Sequence, residues 1–76
     1  TTFAFSLPSA ARVTLAVHDL TGRRVSVVQD GELGAGAHSV RWNAQDGAGR
    51  ALAAGLYFVR FSTPGLTRVE RLVVLP

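Results

Sequence analysis

Apolar and polar residues alternate with a period of two through most of this chain, the mark of strands with one buried face. In Thr2 to Leu7 (TFAFSL), Phe3 and Phe5 share a face, and Pro8 ends the run because it has no N–H to give a ladder. Arg12 to Asp19 (RVTLAVHD) sets Val13, Leu15 and Val17 inward and Thr14, Ala16 and His18 outward. Leu20 to Arg23 is a tight turn in which Gly22 can take positive φ. Arg24 to Gln29 (RVSVVQ) is the next strand, with Val25 and Val27 inward. Asp30-Gly31 and Gly34-Ala35-Gly36 then mark a looser connection. In Ala37 to Asn43 (AHSVRWN), His38, Val40 and Trp42 share the inward face, opposite Ser39 and Arg41.

The second half begins with a polar loop, Gln45 to Arg50, followed by Arg50 to Ala53 as a short edge strand. Gly55 opens the strongest strand signal, LYFVRF. With Arg60 in solvent, Tyr57, Val59 and Phe61 face the core. Leu56 and Phe58 then share the Arg60 face, which must be partly covered. Thr63-Pro64-Gly65 has the order that a type II turn prefers. The last strand, Thr67 to Leu75 (TRVERLVVL), leaves its inward face open between Val69, Val73 and Leu75 on one side and Leu72 and Val74 on the other. Pro76 cannot extend a ladder.

No window shows a period of 3.6, and the one helix-tolerant piece, Ala51 to Leu56, is short and contains Gly55. The pattern predicts an all-β chain: a single immunoglobulin-like (fibronectin III-like) β-sandwich of about seven antiparallel strands, anchored by Trp42. Residues 1–76 are expected to form one domain. So short a chain buries only roughly 60% of its unfolded surface, which leaves little room for an enclosed active site.

Composition narrows the chemistry. There is no cysteine, so neither a disulfide nor a thiolate is available. The longest apolar run, Ala51 to Val59, falls well short of the ~20 residues of a membrane helix. The net charge is +3, carried by arginine without any lysine. The arginines are scattered among apolar residues, as solvated strand positions are, and this argues against nucleic acid as a partner. The chain opens on Thr1 rather than Met and reads as a piece of a longer protein.

Catalytic constellations are missing. Five serines and two histidines occur, none in a nucleophile-elbow context. His38 reads as a core-edge histidine donating to a backbone carbonyl, and His18 as an exposed strand residue beside Asp19. Two histidines with no third ligand do not make a zinc site. The Asp30 and Asp46 loops hold fewer carboxylates than calcium loops use, which leaves weak calcium binding as the alternative to the expected role, each aspartate bonding its own turn backbone. Gly47 and Gly49 are turn glycines, since no helix follows to cradle a phosphate. Of the large aromatics only Phe58 lacks an inward place, which is thin support for carbohydrate stacking. The chain is expected to be no enzyme and to need no cofactor or metal.

Five motifs, in order, carry a resemblance. They are Phe5-Ser6-Leu7-Pro8; Val13 to Arg23 (VTLAVHDLTGR); Gly36 to Asn43 (GAHSVRWN); Gly49-Arg50 with Ala54 to Phe58 (AGLYF); and Arg71 to Leu75. Together they resemble the C-terminal sorting domains of type IX secretion cargo and the related Ig-like domain of the flagellar hook-assembly scaffold (FlgD-like). The resemblance implies a non-catalytic sorting and anchoring domain, which directs a larger cargo through the periplasm to the cell surface or the extracellular space. The implied partner is the secretion translocon, with cell-surface polysaccharide as a further association. The features expected to be recognised are Gly55, Leu56 and Tyr57, together with Arg68, Arg71, Leu72, Val73, Val74 and Leu75. The alternative is a structural Ig-like interaction module (a spacer, adhesin accessory or filament subunit) that contacts neighbouring domains or subunits through an edge strand or a sheet face.

Overall fold

A computed structural model describes residues 1–75; Pro76, expected to be unable to extend a ladder, lies outside the described residues. Six strands are present: β1 (Thr2–Leu7), β2 (Ala11–His18), β3 (Arg24–Leu33), β4 (Gly36–Arg41), β5 (Gly55–Thr63) and β6 (Leu66–Val74). They form two antiparallel sheets, β1-β4 and β3-β2-β5-β6. The all-β class and the consistency with an immunoglobulin-like fold hold. Six strands stand where about seven were expected, because Arg50 to Ala53 makes a single bridge, Gln45 to Ala51, rather than an edge strand.

The sheets meet over a cluster of Leu15, Val17, Trp42 and Val59, with Phe3, Tyr57, Phe61 and Leu72 packed around it. Val13 and Val17 on β2 are fully buried. Phe5 reaches from β1 to Phe61 on β5, their ring centroids 4.9 Å apart. Trp42 ends the small sheet, where its backbone N–H donates to the Thr1 carbonyl at 2.9 Å. The alternation read from the sequence therefore places β1, β4 and β5 correctly, and β2 apart from Ala16, which was expected outward and is buried beneath its cross-strand neighbours.

β3 departs from it. Val27 was expected inward and is exposed, while Val28 packs on the core. Gln29 pairs with Leu15 and Val27 with Ala16, which leaves Val28 as an extra residue in a bulge; a second shift leaves Val25 without a partner. A bulge breaks the period of two, so both unpaired valines turn inward and Val27 turns out. β3 also runs on through Asp30-Gly31 to Leu33, where a looser connection was expected. Gly31 stays in the ladder opposite Val13.

Gly55 needed a different explanation from close packing. A Cβ built there would meet nothing within 4 Å, but its φ is +151°, which L side chains rarely adopt. Glycine is required by the backbone and not by a neighbour.

Candidate interaction surfaces

The recognised features expected from sequence come together in one ladder. Gly55 pairs with Val74, Leu56 with Val73, Tyr57 with Leu72 and Phe58 with Arg71; Arg68 lies further along opposite Phe61. Leu75 follows the end of β6. Directly opposed residues share a face, so the ambiguity of the last strand resolves: Leu72 and Val74 face inward beside Tyr57, while Val69 and Val73 face out. Tyr57 is tied by its hydroxyl, which donates to the Ala53 carbonyl at 2.8 Å.

Arg68 and Glu70 also fall on the inward side of β6, opposite Phe61 and Val59. Both are exposed, because the small sheet does not reach over them. The space left is a groove of about 490 Å³. One wall is β1, lined by every residue from Thr2 to Ser6; the other is Arg68 and Glu70; Leu15, Val59 and Phe61 contribute the floor. Among the described residues β1 pairs only with β4, so its second backbone edge opens onto this groove. The free edge of β1 was missed from sequence. Alternation tells which side chains point in, but it does not tell which strand will lack a neighbour.

The opposite face of the four-stranded sheet is also unevenly covered. Ala16 and Val27 pair across β2 and β3, His18 and Phe58 across β2 and β5, and Arg60 and Val69 across β5 and β6. Phe58 and Leu56 are half-buried, as expected of residues on the Arg60 face. Val27, Val69 and Val73 on this face are 45%, 58% and 62% exposed.

The turns are held by carboxylates. Asp19 accepts from the Thr21 hydroxyl at 2.6 Å and from the backbone N–H groups of Thr21 and Arg23. The Thr21 hydroxyl contact is the main cause that holds its carboxyl below the usual value. Asp46 accepts from the N–H groups of Ala48 and Arg50, and the Arg50 N–H chiefly lowers its carboxyl in the same way. This is the turn role expected of Asp46. Asp30 differs: it leaves its own backbone and pairs with Arg12 at 2.7 Å, since β3 continues through it. His38 is half-buried, stacks on Phe5 and meets the Gly34 carbonyl at 2.6 Å. His18 is half-buried rather than exposed, with Nδ1 3.2 Å from the Gly22 carbonyl. Among the described residues no three His, Asp or Glu side chains gather as a metal site would need, and no helix is long and apolar enough to cross a membrane.

The family model of the FlgD Ig-like domain matches residues 1–64. The match thus ends before β6 begins at Leu66. A search of curated proteins finds none that matches the chain.

Proposed function

The chain belongs to the FlgD Ig-like domain family, and from that premise we propose that it is a non-catalytic structural module, a two-sheet Ig-like sandwich that joins neighbouring domains or subunits of its parent protein. The observation that carries this reading is the groove beside β1. A free backbone edge lies next to an apolar floor, and an added strand would hydrogen-bond the edge while its alternate side chains cover Phe61 and Val59. The test is an NMR titration of the labelled chain with overlapping peptides that tile its parent protein. One peptide should shift the amides of Thr2 to Ser6 and slow their exchange with solvent. If no peptide does so, strand addition at β1 is wrong.

A second reading, type IX sorting to the cell surface or beyond, is favoured by one observation. β6 lies outside the family match and exposes Arg68, Arg71 and Val73, the features expected to be read by a translocon. Fusing residues 1–76 to a periplasmic reporter in a host with a type IX system tests it, beside a fusion that stops before Arg68. Export of the full fusion alone supports sorting, and retention of both removes it.

A further inference from the structure

The outer face of the β5-β6 half of the large sheet combines two properties that seldom coincide on a solvated surface. It is apolar: Leu56 opposes Val73, Phe58 sits beside them, and Val69 and Val73 are more than half exposed. It is also basic without compensation. Arg60 and Arg71 lie on this face, each paired in register with an apolar residue, Val69 and Phe58. They are diagonal neighbours on adjacent strands, a spacing of about 7–8 Å. The outward positions of β5 and β6 are Leu56, Phe58, Arg60, Ser62, Thr67, Val69, Arg71 and Val73, with no carboxylate among them. Ion pairs among the described residues are Arg12 with Asp30 and Arg50 with Asp46, both elsewhere. Glu70, between Val69 and Arg71 in sequence, falls on the inward side of β6; Asp19 lines the shallow groove by Phe58 and Arg60 but is engaged by Thr21 and Arg23 of its own turn.

We infer that this face docks an acidic, partly apolar protein surface. The inference rests on the reading of the chain as an interaction module and names the chemistry of one partner. Aliphatic exposure calls for a partner that can exclude water from Val69 and Val73. The two arginines call for carboxylates, which guanidinium groups bind in a fixed fork geometry. A second copy of the chain fits poorly, since two such faces would bring arginines together. Guanidinium groups at the centre of an interface, ringed by apolar contacts, also set specificity more than bulk affinity.

The test titrates the labelled chain with a synthetic amphipathic peptide of leucine and glutamate, and in parallel with its leucine-lysine counterpart and with polygalacturonate. The expected result is binding of the glutamate peptide alone, with shifts confined to Leu56, Phe58, Arg60, Val69, Arg71 and Val73. Affinity should fall about tenfold between low salt and 0.5 M salt, where screening removes most of an exposed charge contribution. Arg60→Glu with Arg71→Glu should reverse the preference toward the lysine peptide; both side chains are exposed, so an unchanged thermal midpoint verifies that the variant folds. Equal binding of polygalacturonate would mean a bare anion site and overturn the inference. So would shifts spread over Arg41 and Arg50, no binding at all, or dimerisation through this face in sedimentation. Shifts at Thr2 to Ser6 instead would overturn this face and support the β1 groove. Failure of the groove peptides with success here would do the reverse, so the two ideas fail separately.

Discussion

β2 and β6 lie two places apart in the same sheet, and both are rich in aliphatic residues. Their fates are opposite. On β2, Val13, Leu15, Ala16 and Val17 are all buried; on β6 only Leu72 and Val74 are even half-buried. Composition does not separate the two strands, but their neighbours do. β2 is flanked by β3 and β5 and lies under the Trp42 cluster, whereas β6 has β5 on one side and the groove in front of it. Position in the sheet therefore decides what an aliphatic residue is worth: on β2 it is core, and on β6 it is largely exposed surface. The other edge, β3, is treated differently again. Its two bulges turn Val25 and Val28 into the core and spoil the regular edge that another strand would need.

Substitutions should widen or close that contrast. Leu15→Ala on β2 should have the largest effect, a loss of about 2–5 kcal/mol in urea unfolding, because a buried leucine leaves a cavity. A loss under 1 kcal/mol would mean that β2 is no more buried in solution than β6. Gly55→Val, at the first residue of β5 that β6 pairs with, should cost about 1–3 kcal/mol through its φ of +151° alone, since the space around it is open. Gly55→Ala should cost nearly as much; if only the larger side chain hurts, packing and not backbone is the cause.

Acid should weaken the two turns that carboxylates hold. Asp19 and Asp46 have carboxyls held below the ordinary 3.8 by bonds that favour the charged form. A lowered folded pKa contributes stability that is complete above the unfolded value and is lost as pH falls through the folded one. The thermal midpoint should therefore hold from pH 7 to about 5 and decline below about 4, and Asp46→Asn should flatten that decline. The smallest effect belongs to Val73→Ser on β6: within about 0.5 kcal/mol of the parent in the same unfolding experiment, as for a surface position. A larger loss would show that β6 is packed in solution.

The alternation of Phe3, Phe5, Val13, Leu15, Val17, Trp42, Val59 and Phe61 was enough to find four strands and the core, since side-chain direction is a local property of a pleated chain. Val27 was misread because a bulge is set by the partner strand's register, which no single stretch encodes. The missing edge strand at Arg50 to Ala53 has a similar cause: the Asp46 carboxylate closes the turn at the Arg50 N–H, and the residues after it find only the Gln45–Ala51 bridge and the Leu52 N–H bond to Ala44. The ladder joining Gly55 through Tyr57 to Leu72 through Val74 was legible as two separate motifs but not as one surface. The groove and the outer Arg60-Arg71 pair were not legible at all, because both depend on which strands lie side by side.

Trp42 gives the chain a built-in optical reporter. It is the only tryptophan, 8% exposed, with its ring 6.2 Å from Phe3 and its Nε1 without a hydrogen-bond partner among the described residues. An indole so shielded emits at short wavelength when folded and shifts to the red when the chain opens, with no second fluorophore of its kind to blur the change. Phe3 also lines the β1 groove, so a strand seated there would alter the emission. A ligand on Val69 and Val73, across the sheet, would leave the colour of the light unchanged.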